Sequence, residues 1–193
     1  MNRRDAIAHV SLLLGGTIIG AEAFLSGCTN PPEQKLGGMG TNFSNADIAF
    51  LDEVAETILP KTDTPGAKDA QVGEFMTRIV KDCYTQPDQK VFLAGMQKLD
   101  DASKKKNGKS FLDSTPDQRH DLLVDLDKEA KDYGHSKKKD DPQHYFRMMK
   151  ELTLWGYFTS KPGATEALVY VAVPGRYEGC IDLKKGQKAW ATS

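Results

Sequence analysis

The sequence predicts an all-α fold: a helical bundle of about five helices with an irregular C-terminal arm. Three observations predict it. Apolar residues recur at helical spacing between Ser44 and Phe158, and helix-start signals stand ahead of several of these stripes. The one short strand-like run, Leu168–Val173, falls near the end, among three glycine-containing turns.

Taken in order, residues 1–27 have the three parts of a bacterial export signal. Arg3 and Arg4 make the positive start, Ala6 to Phe24 supplies an apolar run, and Leu25-Ser26-Gly27-Cys28 closes it. Two small residues before a cysteine, with a leucine ahead of them, suit a lipoprotein-processing peptidase. The small side chains let the backbone lie flat in the protease, and the thiol becomes the lipid attachment point. Cys28 is therefore the expected lipidation site. The alternative is a buried N-terminal helix in which Cys28 is a small apolar residue. His9 and Glu22 within the run, and the turn-forming CTNPPEQKLGGMG after it, weigh against that.

The adjacent arginines point to the twin-arginine route, which exports proteins already folded. Ala6 stands where a bulky apolar residue is usual, and Gly15, Gly16 and Gly20 dilute the core. The alternative is an ordinary secretory lipoprotein. A run ending in a cleavage site is not a membrane span of the mature chain. The expected product is a periplasm-facing lipoprotein of the cell envelope, tethered at Cys28 and otherwise soluble.

Residues 28–43 form a proline-then-glycine linker that can hold a domain, 44–193, off the membrane. A first helix follows Ser44, with Ile48, Leu51, Ala55 and Ile58 on one face and Pro60 ending it. KTDTPGAKDA is a loop with a turn at Pro65-Gly66. The second helix carries Val72, Phe75, Met76, Ile79 and Cys83. Pro87-Asp88 opens a third, with Val91, Phe92, Met96 and Leu99, and DDASKKKNGKS reads as a solvated break. Thr115 can cap a fourth, with Pro116 at its first position and Gln118 reaching back. Its stripe is Leu122, Leu123, Leu126 and Ala130. YGHSKKKDD separates it from the richest helix, Pro142 to Phe158.

Removing Arg3, Arg4, Asp5 and Glu22 with the signal takes basic residues from 26 to 24 and acidic from 27 to 25, so the net charge stays at −1. That balance does not favour nucleic acid as a partner. Three cysteines are present. With Cys28 lipidated, Cys83 and Cys180 are left, and in an oxidising compartment they suggest a disulfide. Two buried free thiols are the rival reading.

The familiar catalytic constellations are absent from the sequence. It contains no Cys-x-x-Cys-His, no strand–Gly-x-Gly-x-x-Gly–helix unit and no Gly-x-Ser-x-Gly elbow. His120, His135 and His144 lack paired metal spacing and read as surface residues. Asp52, Glu53 and Glu56 most simply coat a solvent face, as do Asp121, Asp125 and Asp127. No metal, cofactor or catalytic residue is expected in this chain.

Two stretches carry a resemblance. FLDEVAETILPKTDTPGAKDAQVGEFM (50–76) and ELTLWGYFTSKPGATEALVYVAVPGRYEGCIDLKKGQKAW (151–190) resemble the gluconate 2-dehydrogenase subunit 3 family, the small subunit of membrane-associated, flavin-dependent sugar and sugar-acid dehydrogenases. The shared pieces are Ile58-Leu59-Pro60, Asp63-Thr64-Pro65-Gly66-Ala67, Gly156-Tyr157-Phe158-Thr159-Ser160 and Pro174-Gly175-Arg176-Tyr177-Glu178-Gly179-Cys180. The resemblance implies a large partner, a glucose–methanol–choline-type flavoprotein that holds FAD and oxidises the sugar. A cytochrome c accepts electrons in some such complexes. It also implies that the paired arginines of the small chain carry the folded flavoprotein across the membrane, since the large subunit commonly lacks a signal. A lipid at Cys28 would add an anchoring role. The competing class is a stand-alone lipoprotein binding module.

Within that frame, Asp63, Pro65 and Gly66 are candidates for contacting the partner. The plainer reading is a turn in which Asp63 caps and Gly66 takes a positive φ. Arg176 and Tyr177 are better interface candidates, because Arg and Tyr are favoured at binding hot spots. The plainer reading there is an arm wrapped on its own bundle. Trp155-Gly156-Tyr157-Phe158 reads as core. Trp190, late in a polar tail, must dock on something.

Overall fold

The computed structural model describes residues 43–173, 175–176, 179–180 and 182–191. Arg3, Arg4, Cys28 and Tyr177 lie outside the described residues. Among the described residues five α-helices run in order: α1 Asn45–Ile58, α2 Val72–Cys83, α3 Gln86–Asn107, α4 Pro116–Ser136 and α5 Tyr145–Thr159. A π-helical turn, Gly163–Ala167, follows, and β pairing among the described residues is a single bridge between Val169 and Trp190. The expected all-α bundle with an irregular arm is what forms.

Local chemistry starts α1, α3 and α4 where the sequence says it should. Ser44 and Asp47 cap α1 reciprocally, and Thr115 and Gln118 do the same for α4. Each box satisfies two backbone donors that the first helical turn would otherwise leave unpaired. Thr85 caps α3, with Pro87 in its first turn.

Helix α5 is the axis of the bundle, packing against all four other helices and against the π turn. Its buried residues include Tyr145, Phe146, Met148, Met149, Leu152 and Tyr157. They meet Phe50, Leu51 and Val54 of α1, Met76 and Val80 of α2, Phe92, Met96 and Leu99 of α3, and Leu122 and Leu126 of α4 in one core. Full burial of such side chains stabilises by about 1.5–3 kcal/mol each, so the core drives the fold.

Three boundaries differ from the sequence reading. Helix α3 runs through the expected break to Asn107. Its polar residues Asp100 and Ser103 face inward: the Asp100 carboxylate accepts the Phe111 N–H at 2.8 Å, and the Ser103 and Ser114 hydroxyls pair at 3.0 Å. Lys104, Lys105 and Lys106 then sit in the last turn, where positive charge suits the carbonyl end, and Gly108 closes it at φ 70. Helix α4 likewise continues through Tyr133-Gly134-His135 to Ser136. Helix α5 begins at Tyr145 rather than Pro142, capped by His144 through its Nδ1 and the Phe146 N–H at 3.3 Å. His144 is thus no surface residue: its side chain is 10 % exposed, and its ring lies against Tyr133 and Tyr145.

The acidic group on α1 is also not a solvent coat. Asp52 accepts the Gly73 N–H at 2.8 Å, and burial pushes its carboxyl pKa up. Glu53 pairs with Arg119 of α4 and with Lys68. The Arg119 guanidinium also donates to the Phe111 carbonyl at 3.1 Å and the Leu112 carbonyl at 2.9 Å. One fork thereby ties α1, the loop before α4, and α4 itself. Asp125 and Asp127, by contrast, remain near the surface, paired with Lys106 and with Lys131 and Lys150.

Candidate partner interface

The geometry of the candidate region is organised around Tyr157, near the C-terminal end of α5. Its ring is buried, and its hydroxyl donates to the Pro65 carbonyl at 2.6 Å. That bond joins the Asp63–Ala67 loop to the Gly156–Ser160 segment. On the other side, Gly163 lies so close to the Tyr157 carbonyl that a Cβ there would collide with it. From Gly163 the path to the arm is short. The Leu168 N–H donates to the Gly163 carbonyl at 3.0 Å, Val169 N–H donates to Ala189 at 2.9 Å, and Ala191 N–H returns to Val169 at 2.8 Å. The backbone around Trp190 is therefore held at the same end of α5 as the Pro65 loop.

The loop's own construction argues for scaffolding. The Glu56 carboxylate accepts the backbone N–H groups of Lys61 and Lys68, each at 2.9 Å. Gly66 is buried with its Cα against that carboxylate, where a Cβ would collide. Close approach, not a positive φ, is its requirement: the described residues with positive φ are Gln71, Gly108, Gly175 and Gly186. Asp63 is exposed and does not cap the turn; Asp69 does, accepting the Gly66 N–H at 3.3 Å. Ion pairing with Lys61 and that backbone bond hold the Asp69 carboxyl below its usual pKa.

The aromatic segment divides in two. Gly156 and Tyr157 face the core, and the absent side chain of Gly156 lets the Phe75 ring of α2 sit at 2.6 Å from where a Cβ would be. Trp155 and Phe158, expected in the core, do not enter it. Trp155 is 52 % exposed, with its ring edge-on to Phe75 at 5.4 Å, and Phe158 stands edge-on to Tyr157 at 5.1 Å. Leu154 joins them on the uncovered arc of α5, together with exposed Arg147 and Glu151. Four neighbouring helices cover the rest of α5, so this arc is what they leave. Arg147 and Glu151 mark this side of the helix as polar, but the spacing cannot say whether a neighbour covers the apolar Leu154, Trp155 and Phe158 that fall among them.

The arm adds further exposed apolar residues: Tyr170, Val173, Leu183 at 87 % exposure, and Trp190 at 50 %. The docking expected of Trp190 is made by its backbone with Val169, while its ring stays half in solvent. Arg176 is exposed in the same arm. Cys83 and Cys180 are both free and both exposed, so neither the bridge nor the pair of buried thiols is what forms. Cys83 ends α2 at the surface, and Cys180 lies in an arm whose described pairing is the Val169–Trp190 backbone contact.

Among the described residues, no group of three or more His, Cys, Asp or Glu is placed to hold a metal ion, and no helix is long and apolar enough to cross a membrane. What the region offers chemically is apolar and aromatic surface on a rigid helix, beside an exposed arm. In comparisons with known proteins, the sequence model of one family, gluconate 2-dehydrogenase subunit 3, matches residues 45–175. No curated protein and no solved structure matches the chain.

Proposed function

This chain belongs to the gluconate 2-dehydrogenase subunit 3 family, and from that premise we propose that it is the non-catalytic small subunit of an FAD-dependent sugar or sugar-acid dehydrogenase. In this reading it escorts a glucose–methanol–choline-type flavoprotein through twin-arginine export on Arg3 and Arg4, then anchors and stabilises it through a lipid on Cys28. FAD and the sugar site belong to the partner.

The observation that carries a binding role is the half-exposed Trp155 on the most enclosed helix of the bundle. Large aromatic side chains left in water on a rigid element favour a protein partner over solvent, because covering them releases apolar surface.

The test is a pull-down of the tagged native lipoprotein from detergent-solubilised envelopes, read by flavin absorbance and mass spectrometry. The proposal expects a co-purifying flavoprotein that disappears from the envelope when Arg3 and Arg4 are both changed to Lys. A colourless, solitary protein that still reaches the membrane after that change would replace it with a stand-alone lipoprotein module.

A further inference from the structure

We propose that the flavoprotein docks on the uncovered arc of α5 and on the arm beside it, with Trp155 as the central anchor, and that the Asp63–Ala67 loop is scaffold rather than contact. This rests on the subunit reading above. It departs from the sequence alone in taking Trp155 out of the core, and of the two readings the sequence left for the loop it takes the turn over the contact.

Three observations support it. The first is area. Leu154, Trp155, Phe158, Tyr170, Leu183 and Trp190 are between 38 % and 87 % exposed. At roughly 150–250 Å² for a large side chain, they leave on the order of 600 Å² of apolar surface in water. On the order of 250 Å² of this lies on α5 and the rest along the arm. Counted together, the two surfaces approach the roughly 800 Å² per partner that a stable complex buries. A larger catalytic subunit is the partner that the family supplies for a surface of this size.

The second is rigidity. Trp155 is braced edge-on by Phe75, and the neighbouring Phe158 by Tyr157, whose hydroxyl is itself held by Pro65. An aromatic fixed in advance loses little freedom on binding, and such residues make hot spots. The third is that most of the groups in and flanking the loop are already engaged within the chain, with exposed Asp63 the exception. Gly66 is buried against Glu56, the Pro65 carbonyl is taken by Tyr157, and the Lys61 and Lys68 N–H groups by Glu56.

The experiment measures the ratio of flavin to tagged chain in material purified from envelopes across a dilution series. It compares the unaltered protein with Trp155→Ala, with Leu154→Glu, and with Leu112→Glu, a matched change at an exposed apolar residue of the α3–α4 loop. Far-UV circular dichroism and melting temperature establish that each variant folds; Leu154 is exposed enough for its change to leave both intact. Trp155→Ala should weaken retention of the flavoprotein at least about 30-fold, the scale of a hot spot. Leu154→Glu should weaken it too, and Leu112→Glu should leave it unchanged. Full retention by folded Trp155 and Leu154 variants overturns this docking face while leaving the subunit reading intact. Absence of flavin from the unaltered protein is instead the failure of the subunit reading. Loss of self-association, or of vesicle binding, in the two variants with flavin retention unchanged would assign the face to a second copy or to lipid, and likewise overturn the proposal.

Discussion

The hydroxyl of Tyr157 donates to the carbonyl of Pro65 at 2.6 Å, across 92 residues of chain. The bond seats the loop after α1 against the end of α5, and the same residue's carbonyl receives the close approach of Gly163 from the other side. One buried tyrosine thus holds together the loop, the aromatic arc and the turn that leads into the arm.

Tyr157→Phe keeps the ring and its contact with Phe158 while leaving the Pro65 carbonyl without its donor. The expected loss is about 1–2 kcal/mol. Thermal melting should show it as a drop of roughly 2–8 °C for a domain of this size. An unchanged melting temperature would mean that water replaces the bond at no cost and that the loop is held by Glu56 alone.

Two glycines should respond to alanine with opposite signs. Gly134 sits exposed in α4 with nothing within 4 Å of a built Cβ, so Gly134→Ala should stabilise by about 0.5–1 kcal/mol through helix propensity and a less flexible unfolded chain. Gly163 abuts a backbone carbonyl that cannot step aside, so Gly163→Ala should cost about 2–3 kcal/mol or undo the π turn. Urea denaturation of both variants decides it; two shifts of the same sign would contradict the packing described at Tyr157.

Acid should weaken the tie between α4 and α5 through Asp127. Hydrogen bonds from Lys131 and Lys150 hold its carboxyl below the ordinary value of 3.8. The unfolded chain therefore binds the proton more readily, and the pair's contribution is fully present above that value and lost as pH falls through the depressed one. Stability of the unaltered protein minus that of Asp127→Asn should be greatest above about pH 5 and shrink below pH 4. A difference that does not change with pH would show that the carboxylate's charge has no part in it.

Much of the bundle is legible in the sequence, and for local reasons. Ser44 with Asp47 and Thr115 with Gln118 are three residues apart, so their caps need nothing from the rest of the chain. The ends were harder. Asp100 and Ser103 look like surface residues in a lysine-rich stretch, yet each has a partner, Phe111 or Ser114, 11 residues on. Glu53 and Arg119 gave no sign of meeting, because a charged side chain carries no periodicity that names its partner. At the candidate interface the arm's irregularity and the singularity of Trp190 were visible, but the exposure of Trp155 and Phe158 was not.

By itself, the sequence determined the helical class, the starts of α1, α3 and α4, and the resemblance in 50–76 and 151–190, because capping and apolar spacing act over one or two turns. Only the tertiary structure decided that Leu154, Trp155 and Phe158 stay in solvent. Arg147, Lys150 and Glu151 mark the solvent side of α5, but these three apolar residues fall among them, and nothing in residues 145–159 says whether a neighbour covers them. That depends on how far the four other helices and the π turn reach.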